Sequence, residues 1–186
     1  KFRHPSSVKY LYGTKGGVEI IDLEKTSHGL EMAEIFLKNI ATSHKPILFV
    51  GGKAEAKQAV ERVAERTGQP FVSGRWIGGN LTNFSEIKKR IAKLEDLIGQ
   101  RDRGELTKYT KKERLLIDRD IDKLTLYFGG LSKLKALPKF MIVIDPKKER
   151  NAVLEAHKMH IPIVGLAGSD SNLYEIEYAI PGNDAS

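Results

Sequence analysis

Phe140-Met141-Ile142-Val143-Ile144-Asp145-Pro146 decides the fold. Five apolar residues in a row, without polar alternation, predict a strand covered on both faces, as parallel sheets have. Asp-Pro then starts a turn. Downstream, a helix-period segment over about 149–159 leads into Ile161-Pro162-Ile163-Val164-Gly165-Leu166, a further apolar run. Upstream, Ile47-Leu48-Phe49-Val50 repeats the pattern and is closed by Gly51-Gly52. A helical face of Ala56, Ala59, Val60, Val63 and Ala64 follows, stopping at Gly68 before the short strand Phe71-Val72. Nearer the start, Val18-Glu19-Ile20-Ile21 reads as a strand, and Leu30, Ala33, Leu37, Ile40 and Ala41 as one face of a helix. Strand and helix alternating over short connections imply right-handed crossovers. The expected fold is α/β: a Rossmann-like or flavodoxin-like parallel sheet with helices on both faces.

Residues 84–130 break the alternation. Ile87, Ile91, Leu94 and Ile98 step by four, three and four, and Ile117, Ile121, Leu124 and Phe128 repeat those steps. Thr110-Lys111-Lys112-Glu113 is a capping box for the second helix, and Gly129-Gly130 ends it. The pattern predicts an inserted antiparallel helical hairpin, a short coiled coil. Its seam is wide enough to bury the arms against each other but not also against a sheet. The hairpin is therefore expected to project from one discontinuous body made of residues 1–83 and 131–186.

Composition narrows the function. The 186 residues carry 31 Lys and Arg against 24 Asp and Glu, a net charge of +7, and the isoelectric point is near 9.5. Such a balance suits a phosphate-rich partner. Zero cysteines exclude a disulfide scaffold, thiolate zinc sites and thiol catalysis. No apolar stretch approaches the ~20 residues of a spanning helix, so no membrane partner is expected. No signal or transit pattern is visible, and the opening Lys in place of Met suggests flanking residues beyond the sequence.

Catalytic constellations are missing. Gly51-Gly52-Lys53 lies between strand and helix, where α/β proteins bind phosphate, but Ile47 and Ala54 occupy the positions where a P-loop needs Gly and Ser or Thr. Neither G-x-G-x-x-G nor G-x-S-x-G occurs. Gly168-Ser169-Asp170-Ser171-Asn172 could bind a cation or cap a helix, though it offers little charge for calcium. His157 and His160 lack a third ligand; His4, His28 and His44 are scattered. Asp145 stands at a strand's carboxyl end, where ligand sites gather and where Asp-Pro turns are also ordinary. No catalytic residue, cofactor or metal is expected.

Two basic features stand out. Gly74-Arg75-Trp76-Ile77-Gly78-Gly79-Asn80-Leu81-Thr82-Asn83-Phe84 sets the single Trp beside an Arg able to fork onto phosphate, with Trp76 either stacking or anchoring the loop in the core. Between Glu86 and Lys123 there are twelve Lys or Arg and nine Asp or Glu. The basic residues gather as Lys88-Lys89-Arg90 and as Lys108, Lys111, Lys112 and Arg114. Insertion among RNA phosphates, or a solvated surface laced with salt bridges, would each use such a pattern.

Several of these runs resemble the bacterial small-subunit ribosomal protein S-two family. They are Val18 to Thr26, Ile47 to Gly51, Arg75 to Phe84, Tyr109 to Glu113, Phe128-Gly129-Gly130, Ile161-Pro162 and Ile180-Pro181-Gly182-Asn183-Asp184, in order along almost the whole chain. The resemblance implies a non-catalytic, cytoplasmic ribosomal component with a Rossmann-like body and an inserted hairpin. It implies binding to small-subunit ribosomal RNA, contact with neighbouring small-subunit proteins, and help in holding ribosomal protein S-one. The turn at 168–173 departs from the family's usual Asp-Thr-Asn pattern. A start containing Phe-Gly-His before Arg3 and a helix after Ser186 are expected from the family.

The RNA contacts expected are Arg75, Lys88, Lys89, Lys108, Lys111 and Lys112, made to phosphate and shape rather than to base edges, since folded RNA presents mainly backbone and a shallow minor groove. DNA is not an expected partner. Two rival readings remain: an α/β enzyme or binding protein for a phosphorylated metabolite, using Lys53 and Asp145, and an adaptor that would need an exposed apolar stripe on the hairpin.

Overall fold

The computed structural model describes residues 3–41 and 46–183; His44 and Asp184, named above, lie outside them. The strand read at Val18–Ile21 is present but belongs to a separate two-stranded antiparallel ribbon, β1 (Leu11–Lys15) against β2 (Val18–Ile21), turning at Gly16 and Gly17. Its side chains are mostly exposed or half-buried, Val18 and Ile20 among the exposed, unlike the strands of the parallel sheet, and it pairs with none of them. Helix α1 (Leu23–Ala41) then crosses to the sheet.

The sheet comprises β3 (Ile47–Val50), β4 (Phe71–Val72), β5 (Phe140–Ile144), β6 (Ile163–Ala167) and β7 (Tyr178–Pro181). All four pairings are parallel, in the order β4-β3-β5-β6-β7. Counted within the sheet this is 2-1-3-4-5, the flavodoxin-like doubly wound order. Leu48, Val50, Phe140, Met141, Val143 and Ile163 are fully buried, as the continuous apolar runs require. The edge strand β7 is not legible as one in the sequence, because its Pro and flanking polar residues read as a loop.

From β3 the chain steps outward to β4 through α2 (Ala54–Thr67); from β5 it steps the other way to β6 through α5 (Arg150–Lys158). Right-handed crossovers in opposite directions set those two helices on opposite faces. Gly68 ends α2 in the left-handed region at φ 69°, its N–H returning to Ala64 and Glu65. Helix α1 packs on β7, where a Cβ on Gly29 would lie 2.8 Å from the Ala179 carbonyl and Phe36 stacks on Tyr178 at 4.2 Å.

Helices α3 (Phe84–Asp102) and α4 (Lys111–Phe128) occupy the interrupting segment and run side by side in opposite directions. Thr110 caps α4 as its spacing to Glu113 predicts: its Oγ1 accepts from Glu113 N and its own N–H donates to Glu113 Oε2. The seam does more than pair the two helices. Ile87, Ile91, Leu94, Ile121, Leu124 and Phe128 share one continuous buried cluster with Leu48, Val50 and Val143. Phe128, Leu131 and Leu134 carry that cluster towards the sheet, and Gly130 lies so close to the Phe71 carbonyl and ring that no Cβ would fit. Towards the connecting loop the seam thins, with Ile98 and Ile117 half-buried.

Candidate functional site

In a doubly wound sheet the ligand crevice lies outside the strand ends where the order reverses, here between β3 and β5. This protein fills that place in part with its own side chains, leaving a cavity of about 290 Å³ beside Gly52, Arg75 and Glu149. Lys53 Nζ pairs with Asp145 Oδ2 at 2.6 Å, and Asp145 holds a left-handed backbone, φ 58°, as it leaves β5. Glu149 Oε1 accepts from Gly52 N at 3.1 Å, while Lys148 Nζ donates to the Gly52 carbonyl at 3.1 Å. The Gly52 N–H, a group that could cradle phosphate, thus already serves a carboxylate. Burial pushes the Glu149 carboxyl above its ordinary range against the pull of Gly52 and Lys148, and nearby Asp145 pushes it further. A phosphorylated metabolite would meet two acids there, so Lys53 and Asp145 are brought together as a structural pair and the geometry does not favour the metabolite reading.

The Arg75–Phe84 loop is built round one carboxylate. Glu155, on α5, accepts from Trp76 Nε1 (2.9 Å) and Gly79 N (2.8 Å) through Oε1. Its Oε2 accepts from Leu81 N (3.0 Å), Thr82 N (3.1 Å) and Thr82 Oγ1 (3.1 Å). Burial alone would raise this carboxyl; five donors, Trp76 foremost, outweigh it and hold the group below the ordinary glutamate range. Trp76 is therefore an anchor in the core, 7% exposed, while its neighbour Arg75 faces solvent. Sequence reasoning missed Glu155. Its signal was a Glu on the same stripe of α5 as Ala152, Ala156 and Met159, where a charged residue needs a partner.

The six cations singled out from the sequence do not form one cluster. Arg75 sits on the anchored loop. Lys88 and Lys89 lie on the first two turns of α3, Lys88 with its ammonium 4.9 Å above the Phe84 ring and Lys89 paired to Glu86 at 2.6 Å. Lys108 ends the 3-10 turn Glu105–Lys108, its ammonium 5.3 Å from the Tyr109 ring centre. Lys111 and Lys112 open α4. All six are exposed, and Arg75, Lys111 and Lys112 have no ion-pair partner among the described residues. The two groups on the helices stand apart by most of α3, about 28 Å long at 1.5 Å per residue.

The remaining candidates serve structure. Asp170 pairs with Lys147 at 2.7 Å, which holds its carboxyl below the usual range; Asn172 Oδ1 caps the turn Leu173–Glu175 by accepting from Tyr174 N. Ser7 Oγ donates to the Ser169 carbonyl at 2.6 Å, so the 168–173 turn fastens the 3-10 helix Pro5–Tyr10. His157 Nε2 is 2.8 Å from the Glu175 carbonyl oxygen. Among the described residues no group of three His, Cys, Asp or Glu is placed to hold a metal, and no helix is long and apolar enough to cross a membrane.

Fold and site together define a class: an α/β protein whose phosphate-type turn is tied up by its own carboxylates and whose unpaired cations, among the described residues, lie on outer surfaces. The particular family follows from the whole length of the chain. The family model described as Ribosomal protein S2 matches residues 1–186, and the chain belongs to that family of small-subunit ribosomal proteins. Membership implies a structural role in a ribonucleoprotein particle that carries out translation, in agreement with the resemblance of the Arg75–Phe84 run.

Proposed function

We propose that this chain binds small-subunit ribosomal RNA through phosphate and shape contacts, with Arg75, Lys88, Lys89, Lys108, Lys111 and Lys112 as contacts and the cytoplasmic ribosome as its location. The helical hairpin 84–130 acts as an arm on a body formed by 1–83 and 131–186. One observation carries the reading. Lys111 and Lys112 stand unpaired in the first turn of α4, at the positive end of its dipole. Positive charge is disfavoured there by about 0.3–1 kcal/mol per residue, so stability does not explain the pair, whereas phosphate contact does. The test is sedimentation of the tagged protein through a moderate-salt gradient. It is expected to travel with small subunits; recovery only from the free fraction overturns the reading.

A second contact is supported by Leu115, Leu116 and Leu126, which are 51, 54 and 65% exposed on α4. The seam does not consume these leucines. They give the hairpin apolar surface for a neighbouring ribosomal protein, with ribosomal protein S-one the partner that the family resemblance implies. Loss of that partner from particles carrying Leu115→Ser and Leu116→Ser, with RNA binding kept, is the expected result.

A further inference from the structure

Between the anchored loop and the start of the hairpin lies a cleft of about 460 Å³, within the ~300–1,000 Å³ range of small-ligand sites. Its floor is apolar, from Ile77, Ile87, Leu124 and Phe128, and the half-buried Tyr127 lines it. Its rim carries Arg90 and Lys123, one from each helix. Both are exposed and neither has an ion-pair partner among the described residues. The other rim charges are spoken for: Lys93 pairs with Asp120 across the helices and Glu86 with Lys89. On the loop side the wall is backbone. Gly78 has open space where a Cβ would stand, and Gly79 holds φ 95°, a conformation that favours glycine. Two free cations, an aromatic ring and bare peptide converge on one recess.

We propose that this cleft receives a single unpaired nucleotide of the ribosomal RNA. Its base stacks on Tyr127 over the apolar floor, its phosphate lies between Arg90 and Lys123, and its sugar passes along Gly78. This deepens the RNA reading above and rests on it. Phosphate-only contact at the hairpin's far end leaves bases untouched; this recess takes one base out of the helical stack. Folded RNA offers such bases in loops and bulges, and aromatic stacking with arginine support is how proteins hold them. An acidic peptide would use the two cations but not the ring, so charge and ring together favour the nucleotide.

The test is binding of the full chain to a small-subunit ribosomal RNA transcript, read by affinity and by chemical probing of base reactivity. Tyr127→Ala is expected to weaken binding roughly tenfold and to release one protected base, with the rest of the footprint intact; Tyr127→Phe keeps both. Because Tyr127 borders the core, Arg90→Ala and Lys123→Ala supply exposed variants. Each is expected to expose the same base and to make the salt dependence shallower by about 0.7–0.9 of a logarithmic unit. Variants that bind with an unchanged footprint overturn the cleft while leaving the RNA reading in place. If those cation variants lose a neighbouring protein and keep the RNA footprint, the recess is a protein site and the inference also fails. A wild-type chain that protects no RNA defeats the broader reading itself.

Discussion

Trp76 on the glycine-rich loop donates its indole N–H to Glu155 on α5 at 2.9 Å, joining two segments that lie 79 residues apart. The same carboxylate takes three backbone N–H groups and one hydroxyl from Gly79, Leu81 and Thr82. A loop with Gly at 74, 78 and 79 is too free to hold one shape by propensity. The position of the exposed Arg75, and the wall of the cleft above α3, are set by this one acid.

Replacing Glu155 by Gln keeps the shape and removes the charge, while turning one acceptor into a donor that faces other donors. Hydrogen bonds to charged groups contribute about 1.5–3 kcal/mol each. Glu155→Gln should therefore cost about 2–4 kcal/mol, lowering the thermal midpoint by roughly 5–15 °C for a chain of this size. Trp76 reports the loss: its fluorescence should move to the red under conditions where the far-ultraviolet spectrum still shows a folded protein. A variant as stable as wild type, with unchanged emission, sinks the clamp.

The Lys53–Asp145 pair predicts a non-additive pattern. Asp145 is 9% exposed, so Lys53→Met leaves a poorly hydrated carboxylate without its cation and should cost about 3 kcal/mol. Asp145→Asn removes the charge that Lys53 pairs with and also destabilises, though less, since Lys53 is more exposed. The double variant should recover at least 1 kcal/mol relative to the sum of the two. Urea midpoints decide it, and strict additivity would mean that the pair is incidental.

Some of this architecture can be read from residues alone and some cannot, for physical reasons. Strands β3, β5 and β6 announce themselves because strands covered on both faces have no polar positions. The α4 cap is legible because Thr110 and Glu113 satisfy each other locally. The sheet's register with β7 is not, since a four-residue edge strand containing Pro181 looks like a loop until β6 pairs with it. The hairpin's root departs from its sequence reading for a related reason: a heptad seam reveals the width of an apolar stripe but not how many partners share it. Glu155 acts through neighbours more than seventy residues away in sequence, which no spacing rule encodes. Arg75, Lys111 and Lys112 are visible because unpaired exposed cations need no tertiary partner to be noticed.

At the loop end of the hairpin, Lys108, Lys111 and Lys112 changed together to Glu should leave folding intact, because all three are exposed. Glu at 111 and 112 should, if anything, favour the start of α4. Affinity for small-subunit ribosomal RNA should fall by at least tenfold near physiological salt. The plot of log affinity against log salt should become shallower by about 2–3 units, roughly one for each phosphate that is no longer neutralised. An unchanged slope moves the phosphate-binding surface elsewhere on the protein.

Two glutamates, Glu149 at the N-cap of α5 and Glu155 within it, should leave opposite marks on the pH dependence of stability. Glu155 has its folded-state pKa depressed, so its contribution is present above the unfolded value near 4.3 and is lost as pH falls through the folded value. Glu149 has its folded-state pKa raised by burial, with Asp145 adding to the rise. Between the unfolded and folded values of Glu149 the native state holds the extra proton, so its contribution declines as pH climbs across that interval. Glu149→Gln, whose amide oxygen can still accept from Gly52 N, is then expected to be at least as stable as wild type at pH 7, with the difference shrinking towards pH 4. Glu155→Gln should behave in the reverse sense, most damaging at pH 7 and converging on wild type in acid. Denaturant midpoints of the two variants across pH 3–8 measure both trends at once, and parallel curves would show that neither carboxyl is held by the contacts assigned to it.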